Sequence, residues 1–406
     1  MTQTYQSYHV DWFVNGDVIQ QNVTVHIADG RLMEIESGRS AAAISLGPVA
    51  LIPGLVNAHT HLEFSLLDRP IPTAGRFTNW IRSVVAHRRE HPTSVPDAIH
   101  RGVRESVQSG TTLIGDIATV GWSVTDYMES QFAGVVFQEL LGLGDERMSA
   151  QSGLAQSIIA KEWPESDTNL FGLSPHAPYS VRPDLLQCAV EIAKTSGTPL
   201  AMHLAETPAE LELLADGTGE FREMLTDFGI WRDGLFGGKT PADYLAILAE
   251  CPRSLVVHGN YLTEDDLQFL ARQPQMTLVY CPRTHAAFGH PPHPWRRLVE
   301  LGGSVAIGTD SRASNPDLSL FAELQFLAKQ HSDLSHLEIL KLGTINGRRA
   351  LLGEIADQNH ADFCVVRWEK GLTPDPARNL FAAGNRVIGT IVNGADLVSA
   401  DPTTTD

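Results

Sequence analysis

The residues best able to do chemistry here are histidines and carboxylates that close short apolar runs. His59 and His61 form an H-x-H pair, His203 and Glu206 an H-x-x-E pair, and His258 and Asp310 each end a further run. On extended chain two residues apart share a face, so both imidazoles of the pair point the same way. Two nitrogens are half a metal site. A third imidazole from His203 and a carboxylate from Asp310 make a His₃Asp set, whose nitrogen and oxygen donors suit Zn²⁺ or Fe²⁺. An ion so held lowers the pKa of a bound water from about 15.7 toward about 7. Glu206 falls just past its run, where a carboxylate can reach that water without binding the ion and shuttle a proton. His258 can hydrogen-bond the water or a substrate heteroatom.

Each residue has a plainer reading. H-x-H alone is more often structural. Asp310 could cap a helix, Glu206 could sit in a helix's first turn, and His258 could be a satisfied core histidine. Arrival of several such groups at the ends of different runs is what favours a site.

The runs themselves set the architecture. Eight are present: 55–61, 111–116, 133–140, 170–176, 199–206, 254–260, 276–282 and 304–310, separated by segments with helical apolar spacing. Eight strands alternating with helices predict an α/β fold, a (β/α)8 TIM barrel, whose strand ends converge on one mouth. The competing open doubly wound sheet would carry G-x-G-x-x-G after its first strand, and none is present. Alternating segments around Asn15-Gly16-Asp17 and Asp29-Gly30 predict hairpins, and the last forty or so residues read similarly. The expected organisation is a small β-sandwich unit built from both termini, residues 1–53 and 361–406, around a barrel spanning 54–360.

Composition excludes other classes. The 406 residues carry 30 Lys and Arg against 48 Asp and Glu, a net charge of −18. That sign argues against nucleic acid and anionic membranes as partners. No apolar stretch of about 20 residues exists to span a bilayer, and the first residues do not read as a secretory signal. Cys188, Cys251, Cys281 and Cys364 form no C-x-x-C pair, so a cytoplasmic protein with reduced thiols is expected. His61-Leu62-Glu63 matches half of the cytidine deaminase signature, but its P-C-x-x-C half is missing. His285, His290 and His293, in a Pro-rich loop, read as surface or substrate contacts ahead of a second metal site.

Together, PGLVNAHTH, HLAE, VHGNYL and IGTDSRASN resemble the amidohydrolase superfamily over nearly the whole chain. The resemblance implies that His59, His61, His203 and Asp310 hold one divalent ion, zinc ahead of iron. No Lys lies between Lys161 and Lys194 to bridge a second metal. The chain therefore looks like the one-metal deaminase branch, alongside S-adenosylhomocysteine, guanine and aminodeoxyfutalosine deaminases and the triazine hydrolases. That branch implies hydrolytic release of ammonia from an amino-substituted heteroaromatic ring. Glu206 would protonate a ring nitrogen, Asp310 would accept the water's proton, and His258 would hold the nucleophile.

The same resemblance places His176 and Trp80 against the substrate. It leans toward an adenine-type nucleoside such as aminodeoxyfutalosine, with Arg147 or Arg283 meeting its carboxylate. Cys281-Pro282-Arg283-Thr284-His285 departs from the Cys-Pro-x-Ser-Asn of adenosylhomocysteine deaminases. Residues 207–253, rich in Gly and aromatics, read equally as a lid or as surface helices. The expected partner is a small-molecule substrate, and a homodimer is compatible. An S-adenosylhomocysteine, adenosine or guanine deaminase, a triazine-type hydrolase displacing chloride or amine, and a non-catalytic metal-binding scaffold are the rival functions; a scaffold has no need of Glu206 or His258.

Overall fold

All eight apolar runs form strands: β1 (Leu55–Thr60), β2 (Thr111–Ala118), β3 (Gly134–Leu140), β4 (Asn169–Pro175), β5 (Leu200–Leu204), β6 (Ser254–His258), β7 (Met276–Tyr280) and β8 (Ser304–Ile307). The structure, a computed structural model, describes residues 5–73, 75–91, 94–130, 132–162, 169–353, 360–394 and 398–399. Residues 1–4, 395–397 and 400–406 of the expected terminal unit lie outside these. The strands pair in parallel and in chain order. They are buried on both faces, which is why they read as near-continuous apolar runs.

The cylinder closes between β1 and β8. Thr60 and Asp310 form a parallel bridge, and the N–H groups of Thr309 and Asp310 both reach the carbonyl of His59 at 3.1 Å. Only glycine fits at position 308, because a Cβ there would lie 2.8 Å from that same carbonyl oxygen. Asn57 bonds the backbone and hydroxyl of Thr309 at 3.0 and 2.8 Å. The closing seam thus runs beside two of the expected ligands.

Val56, Leu113, Val135, Phe137, Leu255 and Val257 fill the interior with Leu351 of the helix Ile345–Leu352. The outer faces pack on helices. In Pro183–Ser196 the apolar residues Leu185, Leu186, Ala189, Val190 and Ala193 make one stripe, entered through Pro183 and ended by left-handed Gly197. That stripe packs in one core with Leu200, Met202 and Leu204, each such burial contributing roughly 1.5–3 kcal/mol for a large side chain.

Segments from both termini join in a separate mixed sheet. Tyr5–Asn15 and Val18–Ala28 form the first expected hairpin, and Arg31–Ser37 completes the second. Val49–Pro53 then pairs antiparallel with Phe363–Arg367 from the far end of the chain. Tyr8, Val10, Phe13, Val25, Leu51 and Phe363 form this sheet's own core. Among the described residues no helix is long and apolar enough to cross a membrane.

Candidate active site

Three strand ends at the mouth carry unusual backbone. Ala205, His258 and Asp310 adopt left-handed φ values of 53°, 69° and 57°. Non-glycine residues rarely do so, and such strain concentrates at functional sites. These turns follow β5, β6 and β8 and aim side chains at a common point.

That point is ringed by imidazoles. One nitrogen each from His59, His61 and His203 lies within 4.8 Å of the others, and the Nε2 atoms of His61 and His203 face each other at 3.3 Å. His203 donates its Nδ1–H to the His176 carbonyl at 2.9 Å. A carbonyl only accepts, so Nε2 of His203 keeps its lone pair toward the centre. His59 Nε2 is buried with no hydrogen-bond partner, a rare condition for a polar atom. Burial, reinforced by neighbouring imidazoles, lowers His61 and His203 well below the ordinary range, so both are neutral and available as ligands. Converging lone pairs around one buried point fit a divalent cation.

Asp310 places a carboxylate beside these imidazoles. Its Oδ1 lies 3.6 Å from His59 Nε2 and 3.8 Å from His61 Nε2, while Oδ2 accepts the Ser314 hydroxyl at 2.7 Å. Burial alone would raise this carboxyl. Contact with His59, the nearby His258 and the Ser314 hydroxyl outweigh burial and hold it at about 2.

Glu206 and His258 stand beside this cluster. Glu206 Oε1 is 3.4 Å from His258 Nε2. Both side chains are buried, and burial raises Glu206 and lowers His258 strongly. The carboxyl is therefore kept neutral and the imidazole uncharged, a pair suited to passing one proton.

A cavity of about 660 Å³ opens from His61, His176, His203, Glu206, His258 and Asp310. Trp80 lines its side wall, stacked on Phe77 at 5.5 Å. His176 Nδ1 pairs with Ser180 Oγ at 2.8 Å, and burial pushes the ring down to about 3. Arg147 lines the same cavity on the helix Asp145–Ile159, joined by Arg88, Arg89 and Arg232. The insertion contributes helices Pro208–Asp216, Gly219–Asp227 and Pro241–Leu248. Met224, Leu225 and Phe228 from it wall the cavity. Its second helix is tied across the mouth by Arg82–Asp227 at 2.6 Å and Arg76–Glu223 at 2.7 Å.

One expectation is corrected. Arg283 does not line the cavity. Its guanidinium is committed to Asp317 and Glu323, each at 2.7 Å, with Glu323 also accepting the Arg283 N–H. Nor do His285, His290 and His293 gather as a second metal site; among the described residues only the first three imidazoles do so. Both ring nitrogens of His293 are already bonded within the protein.

The sequence reading missed Glu210. Fully buried, it accepts the N–H groups of Ala205 and Glu206 at 2.8 and 2.9 Å, and so holds the left-handed turn that presents Glu206. The signal was the spacing Thr207-x-x-Glu210 at a helix start, which pointed to capping.

The amidohydrolase family profile matches residues 50–395. The chain belongs to the amidohydrolase family. Among its relatives in that family, an adenosine deaminase of Helicobacter pylori is 28% identical over 359 residues, 83% of this chain and 86% of its own. The aminodeoxyfutalosine deaminase of Nitratiruptor sp. is 27% identical over 332 residues, 80% of each chain. The amidohydrolase fold here also matches the crystal structure of an adenosine deaminase from Xanthomonas campestris with bound zinc. The TM-score is 0.80 at 22% identity, covering 99% of this chain and 94% of that one.

Proposed function

We propose that this amidohydrolase is a hydrolytic deaminase, releasing ammonia from the amino-bearing ring carbon of an adenine-type nucleoside. The observation that carries the reading is the buried Glu206 carboxyl, kept neutral beside His258 at the edge of the imidazole cluster. A metal-binding scaffold has no use for that pair.

His59, His61, His203 and Asp310 would hold one divalent ion, zinc by analogy with the Xanthomonas campestris protein. When bound, the ion supplies an activated water and Lewis acidity. Glu206 gives its proton to a ring nitrogen, which makes the adjacent carbon electrophilic. His258 orients the attacking water, and the Asp310 carboxylate takes a proton from it. The water oxygen adds to the ring carbon; Asp310 returns the proton it took to the amino group, the C–N bond breaks and ammonia leaves, and the proton left on the former water oxygen restores Glu206 as the carbonyl forms. No electrons are exchanged with an outside reagent.

The guanidinium groups of the cavity wall favour a nucleoside that also carries an anionic group. Arg147 and Arg232 line it, and guanidinium groups pair well with carboxylates. The Nitratiruptor relative named for aminodeoxyfutalosine agrees with that chemistry.

Ammonia release from a panel of aminodeoxyfutalosine, S-adenosylhomocysteine, adenosine, guanine and triazines tests the proposal. Turnover of adenine nucleosides, best with aminodeoxyfutalosine, is expected. Activity confined to triazines, or none in the zinc-loaded protein, would overturn it.

A further inference from the structure

His258 reaches the cavity only because its backbone departs from the strand. On β6, Leu255 and Val257 point into the barrel interior, whereas Val256 packs in the outer core. Regular alternation would send residue 258 outward with Val256. The left-handed φ of 69° re-aims the ring toward Glu206. The ladder to β7 is paired only through Val257–Val279, so the carbonyl of His258 turns away without a strand partner.

One side chain takes that carbonyl. His293 Nε2 lies 2.7 Å from it, and the Trp295 N–H donates to His293 Nδ1 at 3.0 Å. Since Nδ1 accepts, the proton must sit on Nε2, and the ring is locked as a donor to His258. Tyr280, at the end of β7, stacks on the ring with centroids 4.0 Å apart. Burial keeps this imidazole uncharged, at about 3. Pro291, Pro292 and Pro294 stiffen the segment that carries it.

We infer that His293 is a positioning residue: its Nε2–H holds the His258 carbonyl in the left-handed turn that faces the His258 ring toward Glu206. Strained backbone persists only where its surroundings over-determine it, and here a loop histidine supplies the bond that the sheet cannot. The inference rests on the deaminase reading for its kinetic consequence and on geometry alone for its structural one.

The test compares His293→Leu, His293→Gln and His293→Asn. Glutamine can place an amide N–H where Nε2 stands; leucine removes the donor, and asparagine is too short to reach. The leucine and asparagine variants should lose kcat by up to about 10²-fold, the scale of an ångström misplacement. Their KM and zinc content should stay within about twofold, and glutamine should recover most of the rate. Unchanged kcat in leucine and asparagine, or equal loss in all three, overturns the inference. Should leucine not fold, glutamine against asparagine carries the comparison. Should wild type turn over no nucleoside, the deaminase reading fails by itself. Crystal structures then decide the positioning: the 3.4 Å His258–Glu206 separation is kept with glutamine and lengthened with asparagine. The same separation in both variants overturns it.

Discussion

Glu206 Oε1 and His258 Nε2 face each other across 3.4 Å at the rim of the imidazole cluster, both buried. Burying a carboxyl away from water is costly, so its place beside the imidazoles calls for a function. Glu206→Gln preserves shape and removes the proton. We expect unchanged zinc content and a kcat lower by at least about 10²-fold. In wild type, the rate should fall as pH rises through the raised pKa of Glu206, since only the protonated carboxyl can donate. A glutamine variant of near wild-type rate would remove Glu206 from the chemistry.

Asp310 divides its oxygens between the histidines and Ser314. Asp310→Asn loses the charge and should lower zinc affinity and abolish turnover. Ser314→Ala leaves the ligand but frees its orientation, so zinc should bind about 10- to 100-fold more weakly, the usual effect of an outer partner. Elemental analysis and competition with a chelator measure both. Full zinc occupancy with turnover in Asp310→Asn would contradict the ligand assignment.

Glu210→Ala strands two buried N–H groups in a left-handed turn. Leaving each unpaired costs about 1–3 kcal/mol. Thermal unfolding should show a lowered Tm, and kcat should fall because Glu206 loses its fixed orientation. Glu210→Gln retains one acceptor and should show a smaller loss in both. Equal Tm in wild type and alanine variant would mean the turn stands without this carboxylate.

Behind the H-x-H pair, Asp116 is raised by burial from its ordinary 3.8 to about 7, although the Leu62 N–H and the Tyr127 hydroxyl bond it. The folded state therefore holds this proton more tightly than the unfolded state, whose value is about 3.9. Its contribution to stability is complete below about pH 4 and declines as pH rises toward 7. Asp116→Asn should flatten this slope, so that its Tm relative to wild type improves from pH 5 to pH 7.5. A constant difference across that range would refute the assignment.

Much of this architecture was readable from residue order. Runs buried on both faces announce themselves by composition, so all eight strands and both terminal hairpins were found where expected. The gathering of His59, His61 and His203 was legible because they sit at strand ends, and a barrel gathers its strand ends. Arg283 misled because its partners, Asp317 and Glu323, come decades of residues later and meet it only through folding. His293 could not be assigned from a Pro-rich loop, since its role depends on a carbonyl 35 positions away. The left-handed turns at Ala205, His258 and Asp310 had no glycine to mark them.

The most direct measurement is a titration of metal-free protein with zinc, following ammonia release from an adenine nucleoside. The rate should start near zero, rise linearly and reach its plateau at one equivalent of zinc per chain. Full activity before zinc is added, or a plateau at two equivalents, would contradict a single ion held by His59, His61, His203 and Asp310.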